Sequence, residues 1–142
     1  MTIYFEDLKT GMSAESARVV TEADIVDFAR VSGDHNPIHL DEAYAATTPF
    51  KARIAHGILI ASHISALVAG KLPGGGAIYV GQTLDFLRPV KIGDEVTTRV
   101  EIKELNEAKA RAVLTCVCSV RGKKVLTGEA TIMVPRRFDA AG

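Results

Sequence analysis

The sequence predicts an α+β fold in which a long antiparallel sheet wraps around one central hydrophobic helix. Three observations point there. Ile54 to Leu72 is the longest apolar segment and is apolar nearly all round, as a helix enclosed by other structure should be. From Gly74 onward the pattern changes to period two, the spacing of strands. The other segments with helical spacing all come earlier, so helices and strands are segregated along the chain.

Each element follows from local chemistry. Thr2 to Met12 mixes aromatics, acids and a Gly turn and reads as a lead-in, and Ser13 to Val20 as a first strand. Thr21 has the form of an N-cap, with acids in the next turn, and Ile25, Phe28, Ala29 and Ser32 then recur at helical spacing. That helix should stop at Gly33. A polar turn follows from Asp34 to His39, then a short helical turn over Asp41 to Ala46 and a loop from Thr47 to Arg53. The hydrophobic helix should start near Gly57 and end near Gly70 or Pro73. Four long strands are expected at Ala77 to Leu87, Asp94 to Glu104, Arg111 to Val120 and Lys124 to Val134. Their connectors are short, so consecutive strands are expected as antiparallel neighbours. The tail from Asp139 to Gly142 is expected to fray.

Composition narrows the class. A chain of 142 residues, 47% of them hydrophobic, has material for one core and one domain spanning 1–142. Seventeen basic residues cancel seventeen acidic ones, which argues against a nucleic-acid partner. The apolar segment is only marginally long for a membrane span, and His56, His63 and Lys71 interrupt it, so no membrane partner is expected. The first residues are acidic and lack the shape of a secretion signal. Cys116 and Cys118 share one face of a strand and read as packed thiols. These features together predict a cytoplasmic protein.

The chemistry concentrates in Ser32-Gly33-Asp34-His35-Asn36-Pro37-Ile38-His39-Leu40-Asp41. Pro37 fixes its own φ and biases Asn36 away from helix, and Gly33 loosens the backbone ahead of it. Asp34 and His39 are expected on opposite lips of one turn, where a carboxylate and an imidazole supply general acid–base chemistry. The plain alternative is a helix C-cap followed by a polar surface turn. A second unusual stretch, Ala55-His56-Gly57-Ile58-Leu59, stands at the start of the hydrophobic helix.

Phe28 to His39, with Asp41 and Ala45, resembles the hydratase-2 signature of the MaoC-like (R)-specific enoyl-CoA hydratases. Ala55 to Leu59 is similar to the start of that family's central helix. Gly81-Gln82 with Phe86, Arg88, Pro89, Val90 and Gly93-Asp94 is similar to its following strands. The resemblance covers almost the whole chain and is closest to the short bacterial enzymes of polyhydroxyalkanoate synthesis. It implies the hot-dog fold and a homodimer joined edge to edge. The implied substrate is an acyl-CoA thioester, with no cofactor beyond the CoA that it carries. The implied reaction is addition of water to a trans-2-enoyl-CoA, giving the (R)-3-hydroxyacyl-CoA. Asp34 would take the water's proton and His39 would supply one to C2, or the two would share these roles. Asn36 would hold the turn, the Gly57 N–H would serve as oxyanion donor, and Ser65, or else Ser62, would support the pair.

Other residues and readings carry expectations too. His56 is expected as a hydrogen-bonded structural imidazole, the alternative being that it helps to fix the catalytic loop, and His35 and His63 are expected as non-catalytic. Arg53, Lys91 and Arg88 are candidates for the CoA phosphates. No metal is expected, because His35, His39 and His56 have no ligand spacing. A dehydratase acting on acyl carrier protein, a thioesterase of the same fold and a non-enzymatic acyl-CoA-binding module stand as alternatives.

Overall fold

The computed structural model describes residues 2–138, so the expected fraying of 139–142 lies outside the described residues. A 3-10 turn at Phe5–Asp7 precedes strand β1 (Ser13–Val19). Helix α1 (Glu22–Ser32) opens with the expected cap: Thr21 Oγ1 accepts from Asp24 N, while Asp24 accepts from Thr21 N. It closes at Gly33, whose φ of +81° is left-handed backbone that glycine adopts without a Cβ clash. Ile25 and Ala29 of its inward face are buried, whereas Ser32 is exposed.

The Asp34–His39 stretch is not a simple turn. Asn36 is the N-cap of a one-turn helix, α2 (Pro37–Leu40), with Pro37 in its first turn. Gly33 ends α1, and the Asn-Pro pair that follows starts the next helix. A second short helix, α3 (Glu42–Ala46), follows from an Asp41 cap. Helix α4 (Gly57–Gly70) then begins and ends where the apolar run predicts.

The sheet comprises β1, β2 (Ile78–Gln82), β3 (Asp85–Phe86), β4 (Glu95–Asn106), β5 (Arg111–Val120) and β6 (Lys123–Met133). Its order is β1-β4-β5-β6-β2, with β3 also paired to β6 and all pairings antiparallel. Consecutive strands are neighbours from β4 to β6 only; β2 and β3 join the last strand instead of the next one. The connection after β3 crosses from one side of the sheet to the other, and Ala55 N donates to Val90 O on the way.

The expected strand Ala77 to Leu87 is broken into two. A Cβ on Gly128 of β6 would lie 1.9 Å from Thr83 O, so the break at Thr83 depends on glycine opposite it. Thr83 also exchanges bonds with Glu129, through its N–H to Glu129 O and its Oγ1 from Glu129 N.

One face of the sheet packs on α4 through Val96, Val100, Ile102, Leu114, Leu126 and Ile132, all buried. The alternate residues of β4 and β5 lie toward the opposite face and are less buried, the pattern of a sheet wet on one side. Cys116 and Cys118 are buried free thiols on the inner face, as expected, and burial pushes Cys116 up to about 11. Helix α4 buries Leu59, Ile60, Ile64, Leu67 and Val68. The expectation that the apolar helix is enclosed on all sides is corrected here. Ile58, at 55% exposure, and Ser62, Ser65, Ala66 and Ala69 form an outward stripe, because one sheet covers one side of a helix.

Candidate active site

Three segments build the site: the link from α1 into α2, which carries Asp34; α2 itself, which carries His39; and residues Arg53 to Gly57, which lead into α4. Asn36 N donates to Asp34 Oδ1 at 3.2 Å, and the Asn36 side chain accepts from Ile38 N, also at 3.2 Å. One residue therefore holds both the carboxylate and the first turn of α2, so the contacts of Asn36 are structural.

His39 is nearly buried, and its Nδ1 lies 2.8 Å from Ile54 O. A carbonyl oxygen only accepts, so Nδ1 carries the hydrogen and Nε2 is the nitrogen left for chemistry. The backbone of the same segment is held twice more, by Ile54 N to Ile38 O and by Arg53 Nε to His39 O at 2.7 Å. His56 lies against both members of the pair. Its Nε2 is 3.0 Å from Asp34 O, and its ring stacks on His39 with centroids 3.9 Å apart.

The carboxylate of Asp34 and ring nitrogens of His39 and His56 all lie within 4.8 Å of one another. The metal set weighed from sequence, with His35, is thus replaced by one with Asp34. Stacked rings, however, aim their in-plane lone pairs side by side and not at one ion. The arrangement suits proton transfer, with an acceptor carboxylate and an imidazole nitrogen bordering one small volume.

That volume opens on a cavity of about 420 Å³, lined among others by His39, Ile54, Gly57, Ile58, Phe86 and Arg88. The lining is mostly apolar. Asp34 is exposed and stands outside the lining, beside His39. Gly57 is the first residue of α4, and no side chain caps that helix end, so the partial positive charge of its first turn remains available. A Cβ on Gly57 would fall 2.6 Å from Phe86 Cε1: the aromatic ring rests directly on this residue.

Two groups of expected residues separate here. The structure brings Asp34 within 4.8 Å of His39, and His39 and Gly57 line one cavity. It leaves Ser62 and Ser65 on the outward stripe of α4, where Ser62 Oγ donates to Leu59 O in its own helix. Among the described residues no hydrogen bond joins either serine to Asp34 or His39. Of the three phosphate candidates, Arg53 is corrected: it is buried, and its guanidinium is committed to His39 O and Glu22 Oε1. Arg88 lines the cavity, and Lys91 is exposed nearby on the same connection.

The clamp formed by Arg53 and the Ile54 carbonyl was not anticipated from sequence. Its one signal is an arginine set directly before an apolar segment, since a buried guanidinium needs partners. Phe86 was noted only as part of a strand pattern.

A long helix covered on one side by a curved antiparallel sheet, with a carboxylate and an imidazole beside the helix N-terminus, defines a hot-dog acid–base enzyme. The chain belongs to the family of the MaoC-like domain, whose family model matches residues 5–122. It is 52% identical over 134 residues to the (R)-specific enoyl-CoA hydratase of Rhodospirillum rubrum, covering 94% of this chain and 93% of that one. It is 49% identical over 138 residues to the 3-hydroxybutyryl-CoA dehydratase of Methylorubrum extorquens, covering 97% and 88%. In structure it matches the unliganded R-hydratase PhaJ1 from Pseudomonas aeruginosa with a TM-score of 0.91 and 48% identity, over 96% of this chain and 88% of that one.

Proposed function

We propose that this protein is a hydro-lyase that adds water to a trans-2-enoyl-CoA, giving the (R)-3-hydroxyacyl-CoA, and runs the reverse dehydration. The observation that carries this reading is the meeting of Asp34 and His39 at an apolar cavity whose wall includes the uncapped N-terminus of α4. Relatives bearing hydratase and dehydratase names support the two directions.

The thioester oxygen is placed against the Gly57 N–H, where the helix end stabilises the charge that grows as C3 is attacked. Asp34 accepts one proton from water, and the hydroxide adds to C3. His39, as imidazolium, gives the Nε2 proton to C2. The product has then gained H and OH. Asp34 is left protonated and His39 neutral, and one proton passed from Asp34 to His39 through solvent restores the site. The apolar cavity holds the acyl chain, and Arg88 is the cation placed for a CoA phosphate.

The assembly is a homodimer. Strand β2 is an unpaired edge of the sheet and carries the exposed apolar residues Ile78, Tyr79 and Val80. Pairing β2 with its copy satisfies both. The two buried cysteines are free thiols, which supports the cytoplasm as the proposed location, and among the described residues no helix is long and apolar enough to cross a membrane.

The deciding experiment mixes the protein with crotonyl-CoA, follows loss of the enoyl absorbance and resolves the product on a chiral phase. The (R)-3-hydroxy product is expected. Mainly (S) product, release of free CoA, or turnover confined to acyl carrier protein substrates would overturn the reading. Sedimentation at micromolar concentration should give twice the chain mass; a monomer would sink the proposed assembly.

A further inference from the structure

His56 has contacts that packing alone does not explain. It is 2% exposed, and Phe28 of α1 tilts against its ring at 4.8 Å. It occupies the N-cap position of α4, yet its side chain caps nothing. Its Nε2–H is instead given to the main-chain oxygen of Asp34, and its ring face to His39. Its Nδ1 is buried without a partner among the described residues, a cost that a phenylalanine filling the same space would avoid. Burial also pushes this imidazole below its ordinary value, against the pull of the Asp34 carbonyl, and so keeps it neutral.

We propose that His56 is a positioning residue that locks Asp34, His39 and Gly57 into one arrangement. The inference rests on the hydratase reading given above. The three groups sit on three separate segments, and His56 touches or adjoins all of them. Its hydrogen bond holds the main chain under Asp34. Its ring sets the plane of the His39 imidazole, while Ile54 O sets that ring's rotation, so Nε2 is aimed without freedom to turn. Its own peptide leads into the Gly57 N–H. Acid, base and oxyanion donor need mutual placement far tighter than loops supply alone, which is where a rigid shared neighbour acts.

Three variants separate the two contacts. His56→Gln places an amide donor near Asp34 O but has no ring; His56→Phe keeps the ring without the donor; His56→Leu has neither. All three are compared with the parent as dimers of normal helix content. We expect kcat on crotonyl-CoA to fall about tenfold in the Gln and Phe variants and about 10²-fold in the Leu variant, with KM within about threefold. A second readout needs no turnover. In ¹⁵N-histidine spectra the His39 Nδ1–H signal should be sharp in the parent and broadened or lost in the Leu variant. If Leu does not fold, the same comparison is made on the Gln variant. A parent without hydratase activity would overturn the reaction assignment, and the spectra would still judge His56. Folded variants with kcat within about twofold of the parent, a change in KM alone, or an unaltered His39 Nδ1–H signal would overturn the proposal.

Discussion

His39 Nδ1 and the carbonyl oxygen of Ile54 stand 2.8 Å apart, and this contact decides which ring nitrogen faces the cavity. With Nδ1 holding a proton for Ile54, only Nε2 exchanges one with substrate. His39→Gln keeps a polar side chain but cannot titrate. Its kcat should fall about 10²–10⁴-fold while the protein stays folded. Retained activity in the folded variant would remove His39 from the chemistry.

Asp34→Asn removes the proton acceptor and keeps the shape, with Asn36 N still able to bond the side-chain oxygen. The expected loss is again about 10²–10⁴-fold. The double variant with His39→Gln should be far less damaged than the product of the single losses, because both groups serve one event. Multiplicative losses, measured in the same assay, would show that the two act in separate steps.

Gly57→Ala tests the contact with Phe86. The added methyl would sit 2.6 Å from the ring, so the ring must swing and the cavity wall changes shape. Activity should drop about 10²-fold with little loss of stability, since the obstacle is a side chain that can move. Pairing the change with Phe86→Leu should restore part of the rate. No recovery would mean that the methyl acts on the substrate directly.

Gly128→Ala meets backbone, which cannot move aside: its Cβ would lie 1.9 Å from Thr83 O. We expect a cost of about 1–3 kcal/mol in urea denaturation. Unchanged stability would show that the break between β2 and β3 tolerates a shift.

Acid should weaken the fold well before the carboxylates titrate. Burial lowers both His56 and His63 from the ordinary 6.5, and Arg18 lowers His63 further while Asp24 opposes. Below 6.5 the unfolded chain therefore binds more protons than the folded one, so stability is full above that value and declines as pH falls. The urea midpoint should be lower at about pH 5.5 than at about pH 7.5, and His63→Gln should reduce the difference. A midpoint flat across that range would remove both imidazoles from the acid response.

The parts legible in the sequence were those governed by local chemistry. Thr21 and Asp24 announce a helix start, the apolar run gives α4, and period two gives β4, β5 and β6 nearly to the residue. Asp34 and His39 stand out by type and spacing. What stayed hidden depends on contacts between distant segments. The break at Thr83 needs Gly128 on another strand, and the burial of Arg53 needs the carbonyl of His39. The outward face of α4 was unreadable for a different reason: with apolar residues all round, nothing in the pattern marks the side a sheet leaves bare.

The hold on the main chain of the dyad segment from outside is placed on its peptide oxygens. Arg53 grips His39 O, Ile54 N meets Ile38 O, and His56 meets Asp34 O. Such a grip does not depend on which side chains stand between the two working residues. Position 35 is exposed, so divergent sequences there leave the scaffold's aim intact. The segment is thus separable into a fixed alphabet at 34, 36, 37 and 39 and an open one at 35. A library randomised at His35 should retain turnover in most members, which makes that site a place to tune what approaches the mouth without rebuilding the catalyst.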